Sequence, residues 1–108
     1  MNTDKELLEF AAKAAGIVIA VEPFFDEEHG IETSEGWAWN PLTDDGDALR
    51  LAVKLQIIVG RYDNYVNASP LHDGAKEVVI WNHNEKDPYK ATRRAIVLAA
   101  AEIGKNAA

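Results

Sequence analysis

The segment that most constrains the fold runs over residues 37–55. Trp37 and Trp39 are two positions apart, so their side chains share one face of an extended strand. Pro41 ends that strand, because proline has no N–H to donate to a sheet. The amphipathic helix that follows opens on acidic residues, which the helix dipole favours at this end. Its acids are Asp44, Asp45 and Asp47, and its cap is Thr43 or Asp44.

The apolar face of this second helix is broad. Two neighbouring lines of residues follow the helical repeat, and together they predict a packed layer on that side. One line is Leu49, Ala52, Val53 and Gln56, and the other is Ala48, Leu51 and Leu55.

A helix and an apolar strand are predicted before this segment. Thr3 and Glu6 have the spacing of a capping box, which predicts a first helix over about residues 4–15 with Gly16 as its stop. Residues 17–21 are apolar on both alternating faces and rich in β-branched side chains. A strand of this kind needs cover on both sides, so we expect it at the centre of the sheet.

The remaining segments predict a loop and three short strands. Residues 22–35 mix proline, glycine and acids, which indicates a loop with an edge strand near residues 30–33. A longer loop is expected over residues 69–74. The three strands are expected at 57–62, 65–68 and 77–81, with a tight turn at Asp63 and Asn64 between the first two.

A third helix is predicted near the end of the chain. Asp87 and Pro88 are an N-cap acid and a first-turn proline, and the helix should end near Ile103 with Gly104 as its stop. One of its faces has charged ends and small residues between them, so either another helix or a second subunit lies across it. That face carries Arg93, Arg94, Val97, Ala101 and Lys105.

These elements predict one α+β domain over residues 1–108. The expected architecture is an α-β-α sandwich, with three helices around a mixed, mainly antiparallel sheet of about four or five strands. The first strand is followed by another strand instead of a crossover helix, which argues against a purely parallel sheet.

Charge and composition restrict the partners. The net charge is −7, with twelve acids and two bases in residues 1–47 but six acids and nine bases in residues 48–108. An acidic first half repels phosphate, so a nucleic acid is not the expected partner. The chain has no cysteine and no apolar run long enough to span a bilayer, so we expect a cytoplasmic protein that does not contact membranes.

No spacing typical of catalysis or metal binding occurs. The acids near Asp47 lie within one helical turn and lack the glutamate of a calcium-binding loop. His29, His72 and His83 stand far apart, and neither a phosphate-binding loop nor a nucleophile motif is present. We therefore predict no catalytic residues, no metal and no cofactor.

Candidate interface residues come from two groups. Paired tryptophans are typical of a core or sheet edge, but they also anchor protein interfaces. The arginines of the third helix can meet phosphate, an acidic partner, or the acidic first helix of the same chain, which presents Asp4, Glu6 and Glu9. The candidates are Trp37, Trp39, Arg93, Arg94, Val97 and Ala101.

Five stretches carry a family resemblance: residues 7–16, 39–42, 47–55, 91–97 and 100–104. They cover the three predicted helices and one strand. In these motifs the chain resembles the phage ABA-sandwich domain proteins, short proteins encoded by phages and prophages of Gram-negative bacteria. The resemblance implies a sheet between helical layers and a phage origin. It implies no site residues, because the function of that family is not established.

Three functions follow as hypotheses. The first is a non-enzymatic phage accessory protein that binds another protein, such as a host factor. The second is a module that self-associates through the small-residue face of the third helix. The third is a small-ligand or nucleotide-binding protein, with a pocket where strand ends meet helix starts near Asn40, Asn82 and Asp47.

Overall fold

The computed structural model describes residues 2–71, 77–81 and 86–107. Within these ranges the chain forms three helices, α1 (Asp4–Ala15), α2 (Asp45–Lys54) and α3 (Pro88–Asn106). It also forms six strands there: β1 (Phe25–Asp26), β2 (Gly30–Glu32), β3 (Ala38–Trp39), β4 (Ile57–Arg61), β5 (Tyr65–Pro70) and β6 (Val78–Trp81). These strands make two antiparallel three-stranded sheets, β1-β2-β3 (sheet 1) and β4-β5-β6 (sheet 2). The α+β class is confirmed, whereas the single sheet of four or five strands is replaced by two smaller sheets.

α1 begins at the predicted capping box and ends at the predicted glycine. The Glu6 N–H donates to Thr3 Oγ1 at 3.2 Å, and the Thr3 N–H donates to Glu6 Oε1 at 2.9 Å. Hydrogen bonds from the Thr3 N–H and the Thr3 hydroxyl hold the pKa of Glu6 below its ordinary value, because they favour the charged carboxylate. Gly16 has a left-handed φ of 74°, which glycine adopts without strain.

α3 is the central helix of the fold. It packs against α1, against α2 and against all three strands of sheet 2. Small side chains on its buried surface allow these neighbours to approach closely. No helix of the described ranges combines the length and the apolar character needed to cross a membrane. The fully buried alanines of α3 are Ala91, Ala95, Ala99 and Ala100.

Gly104 is not the stop of α3, because the helix continues to Asn106. Its missing side chain serves the crossing with α1 instead. A Cβ atom on Gly104 would overlap the Phe10 carbonyl oxygen and lie 2.7 Å from the Phe10 carbonyl carbon. Backbone atoms cannot rotate away as a side chain can, so this crossing requires glycine.

The 17–21 segment is not the central strand that its sequence predicted. It forms a single bridge, between Ile19 and Thr33. Val18 is 66% exposed and Val21 is 98% exposed. The segment therefore lies at the border of sheet 1, and the prediction of cover on both faces is wrong.

Strands β2 and β3 of sheet 1 occupy the buried position that was expected for residues 17–21. Ile31 of β2 and Trp39 of β3 are buried and pair in register. α1 packs against β2 and buries Leu8 completely. The strand expected near residues 30–33 is present as β2, but it is the middle strand of sheet 1 and not an edge strand.

Sheet 2 is built on the predicted hairpin turn. The Tyr62 N–H donates to the Tyr65 carbonyl oxygen at 2.9 Å, which closes the turn over Asp63 and Asn64. β5 runs to Pro70, so the loop predicted from residue 69 begins later, and residues 72–74 lie outside the described residues. Alternate residues of β5 are buried on the side that packs against α3, namely Val66, Ala68 and Pro70.

Candidate functional site

The acidic start of α2 is a structural cap. Asp44 is the N-cap residue, and its carboxylate accepts the Asp47 N–H at 2.8 Å. Asp47 accepts the Asn40 N–H at 3.0 Å and a hydrogen bond from Arg50 Nη2 at 2.7 Å. In the described ranges, no group of three or more histidine, cysteine, aspartate or glutamate side chains is placed to hold one metal ion. The cluster therefore stabilises the start of α2 and ties it to the end of β3.

A small cavity lined by both polar and apolar side chains lies near the starts of α1 and α3. Its volume is about 190 Å³, below the roughly 300–1,000 Å³ typical of small-molecule sites. Asn40 lines this cavity as expected for a ligand pocket, but Asp47 does not, and Asn82 lies outside the described residues. Arg94 of the cavity lies 3.3 Å from Asp4, so this cation is already paired within the chain.

A larger groove lies between α2 and β4, with the N-terminal half of α3 as its floor; we call it the α2–β4 groove. Its volume is about 530 Å³, within the range of binding sites. The two walls, α2 and β4, are consecutive in the chain and are connected only by Leu55 and Gln56. Gln56 has a left-handed φ of 54°, which turns the backbone between them. The wall residues are Ala48, Leu49 and Ala52 of α2 with Val59 and Arg61 of β4.

The floor and the rim of this groove are both apolar but differ in burial. Ala48 and Ala52 of α2 and Ile96 of α3 are buried at its base. Leu49 and Tyr89 line the same groove and are 64% and 67% exposed. Large exposed apolar side chains concentrated around a concave surface mark an interaction site.

The exposed rim results from the width of the apolar face of α2. Ala48, Leu51 and Ala52 are buried, whereas Leu49 is 64% and Val53 is 70% exposed. The prediction that both lines of this face are packed is therefore wrong for Leu49 and Val53. Sequence analysis missed the groove, although the signal was present, since two apolar lines need more cover than one neighbouring helix provides.

Two arginines border the groove and differ in their partners. Arg93 Nη1 lies 2.7 Å from Asp45 Oδ1, and Arg93 Nε donates to the Leu42 carbonyl oxygen at 2.8 Å. These contacts hold the Arg93 side chain, of which 15% is exposed. Arg61 donates to the Tyr62 carbonyl oxygen. In the described part of the chain Arg61 has no carboxylate partner, so its charge remains available at the end of the β4 wall.

The small-residue face of α3 is not a surface for a second subunit. Val97 and Ala101 are buried. They share a helical face with Arg94 and Gly104, which contact Asp4 and the Phe10 backbone of α1 respectively. Of the two alternatives predicted for this face, another helix of the same chain lies across it.

The two candidate arginines differ in their ion-pair partners, and the two candidate tryptophans differ in their exposure. Arg94 meets the acidic first helix, one of the three alternatives expected for these arginines, whereas Arg93 meets the start of α2. Trp39 is buried in the core, but Trp37 is 46% exposed. Trp37 borders a further groove of about 330 Å³ that also includes Lys54. Trp37 is therefore the tryptophan of this pair that a partner can reach.

A row of aromatic rings covers the side of sheet 2 opposite α3. The Tyr62 and Tyr65 rings stack with centroids 4.6 Å apart, and the Tyr65 and Trp81 rings are 5.2 Å apart. Tyr65 alternates with the buried Val66 of β5, so its ring lies on the outer face. These contacts are sheet-pairing contacts of the kind that stabilise adjacent strands.

An ion pair closes the turn between β1 and β2. His29 Nδ1 lies 3.0 Å from Asp26 Oδ2, and the His29 N–H donates to Asp26 Oδ1 at 2.6 Å. The hydrogen bond and the charge of Asp26 raise the pKa of His29, with a smaller contribution from Glu28. The same hydrogen bonds lower the pKa of Asp26.

We expect the imidazole of His29 to titrate above its ordinary pKa of 6.5 in an NMR pH titration. The contribution of His29 to stability is present below pH 6.5 and is lost as the pH rises through the raised pKa. That of Asp26 is present above pH 3.8 and is lost as the pH falls through the lowered pKa. Asp26→Asn should return the pKa of His29 towards 6.5, and Glu28→Gln should lower it less. Equal effects of the two substitutions would contradict this assignment.

Comparisons of the chain with protein-family models, with curated proteins and with solved structures gave no match.

Proposed function

We propose that this protein acts by binding another protein, and that the α2–β4 groove receives an apolar segment of the partner. The observation that carries this proposal is the group of exposed side chains of Leu49, Val59 and Tyr89 that line the groove beside a buried apolar floor. Burial of apolar surface contributes roughly 25 cal/mol per Å². A partner that covers these three side chains removes their apolar surface from water, and this burial contributes favourable binding free energy.

The charges around the groove indicate the chemistry of the segment. Arg93 is neutralised by Asp45, whereas Arg61 is exposed and has no carboxylate partner in the described ranges. An amphipathic helix with apolar anchors and one acidic side chain near Arg61 fits both features, since helix-in-groove recognition uses apolar anchors at helical spacing. A net charge of −7 favours such a protein over a nucleic acid.

The biological setting is part of the same proposal. The resemblance of residues 7–16, 39–42, 47–55, 91–97 and 100–104 to phage ABA-sandwich proteins supports a non-enzymatic accessory role for a phage or prophage. It also supports action in the host cytoplasm, with a host protein as the partner. The sandwich arrangement of that family belongs to the proposal too, supported by the packing of α3 on sheet 2 and of α1 on sheet 1.

Site-specific photo-crosslinking in a bacterial lysate tests the groove. A photoreactive amino acid at position 89, an exposed lining position of the groove, is expected to capture a discrete partner, and Leu49→Asp should reduce the yield by about tenfold, which corresponds to ~1.4 kcal/mol. Both positions are exposed, so the folded state should lose less than about 0.5 kcal/mol of stability.

Ile58 provides the matched control, because it is 56% exposed and does not line the groove. Ile58→Asp should leave capture at position 89 unchanged. The proposal is wrong if a photoreactive group at position 58 captures the same protein as one at position 89. It is equally wrong if Leu49→Asp leaves the yield unchanged.

A further inference from the structure

Residues 18–20 of the 17–21 segment run antiparallel beside one end of sheet 1. The Ala20 N–H donates to the Glu32 carbonyl oxygen at 3.1 Å, and the Ser34 N–H donates to the Val18 carbonyl oxygen at 2.9 Å. Two backbone hydrogen bonds of this kind define a short strand pairing. One side of the segment is therefore occupied by the protein's own chain.

The other side of the segment is open at Ile19. The two hydrogen bonds flank the bridge between Ile19 and Thr33, so this pair is of the non-hydrogen-bonded type. In such a pair the N–H and the carbonyl of each residue point away from the partner strand. Within the described part of the chain, neither the N–H nor the carbonyl of Ile19 has a hydrogen bond. The pair of groups is positioned to bond another strand.

The side chains of the segment favour such an addition. Residues 17–21 contain no charge, no proline and no glycine, and four of the five are β-branched. Val18 and Val21 are mostly exposed. Proteins usually protect an open edge with charges or proline, and residues 17–21 themselves contain neither.

The two ends of the segment carry opposite charges. Gly16 lies just before the segment, and a Cβ atom added to Gly16 would be 3.8 Å from the Lys54 ammonium. Glu22 lies directly after the segment. Both side chains are exposed. No ion pair joins either of them to another described residue. The edge therefore has a basic beginning and an acidic end.

We propose that residues 17–21 pair with the same residues of a second copy of this chain, antiparallel and around a two-fold axis at Ile19. The Ile19 N–H of each copy then donates to the Ile19 carbonyl oxygen of the other. Antiparallel pairing brings the end of one segment to the beginning of the other. Glu22 of each copy thus approaches Lys54 of the other, and symmetry makes this contact twice. This surface is separate from the α2–β4 groove.

Sedimentation velocity over a concentration series tests the pairing. The protein is expected to approach twice its mass of 11.9 kDa as the concentration rises. Val21→Lys should weaken the dimer by about tenfold or more, because a lysine blocks an edge strand. Val21 is 98% exposed, so the substitution removes no packing from the monomer. Ile58→Lys, on the outer face of sheet 2, is the matched control and should leave the dimer unchanged.

Charge reversal tests the antiparallel register. In a dimer of Glu22→Lys protein, a lysine faces Lys54 at both of the symmetric contacts, and in a dimer of Lys54→Glu protein a glutamate faces Glu22 at both. Each substitution alone should therefore weaken the dimer. An equimolar mixture of these two variants restores both opposite-charge contacts, so a heterodimer of wild-type strength is expected.

Three results would overturn the inference: a monomer at every concentration, a dimer that Val21→Lys leaves intact, or a mixture that does not recover. Leu49→Asp should leave the dimer unchanged. A failure of the groove proposal is therefore distinguishable from a failure of this one.

Discussion

Gly104→Ala is expected to lower the free energy of unfolding by about 2–4 kcal/mol. In most helices this substitution stabilises by up to ~1 kcal/mol, because alanine restricts the unfolded chain and has the higher helix propensity. At Gly104 the new Cβ atom would overlap the Phe10 carbonyl oxygen. Relief requires α1 and α3 to move apart, and that movement opens the buried layer of Val97 and Ala101.

Gly46→Ala is the matched control for this prediction. Gly46 lies in α2, and its added Cβ would lie 3.2 Å from atoms of the Arg50 and Asp44 side chains, which can move. We expect Gly46→Ala to leave stability unchanged or raise it by about 0.5 kcal/mol. Urea unfolding curves with an unchanged slope measure both effects. A Gly104→Ala protein as stable as the wild type would show that the helices do not cross this closely.

The helix starts could be predicted from sequence because caps are local. Asp87 accepts the N–H groups of Tyr89 and Lys90 at 3.0 and 3.2 Å, as its position before Pro88 indicated. The capping box at Thr3 was predicted in the same way. Each signal lies within four consecutive residues, so no distant part of the chain was needed to interpret it.

Two predictions failed where tertiary packing decides the outcome. The apolar run at residues 17–21 indicated a need for burial, but it did not specify which strand occupies the core beside α1. In the structure, Ile31 of β2 and Trp39 of β3 are the buried strand residues of sheet 1. Gly104 is equally compatible with a helix stop and with a close helix crossing. Phe10, which distinguishes them, lies at the other end of the chain.

The candidate site was only partly predictable for a related reason. Opposite charges made the acidic first helix one of the three alternatives expected for Arg94, and Arg94 meets Asp4 of that helix. The α2–β4 groove exists because α2 and β4 diverge on either side of Gln56. Gln56 has a left-handed backbone, and no sequence motif predicted that conformation. The broad apolar face of α2 signalled a need for more cover, but which of its residues stay exposed depends on that divergence.

Trp39→Ala is expected to lower the free energy of unfolding by about 3–5 kcal/mol. Trp39 is 3% exposed and pairs with Ile31 in sheet 1. Its carbonyl group also lies against Gly30, where a Cβ atom would be 2.7 Å from the Trp39 carbonyl carbon. This close contact between the backbones of β2 and β3 limits how far they can collapse into the space that the indole leaves. Incomplete collapse places the cost near the upper part of the range for large-to-small substitutions.

Trp37→Ala is the natural comparison, because the same residue type lies two positions earlier and is 46% exposed. We expect it to cost less than about 1 kcal/mol, measured by circular dichroism during denaturant unfolding. Nearly equal costs for the two substitutions would contradict the assignment of Trp39 to the core and Trp37 to the surface. A large cost at position 39 alone means that any loss of partner binding in Trp39→Ala reports unfolding. Trp37 is then the position of this pair at which aromatic recognition of a partner can be tested without disturbing the core.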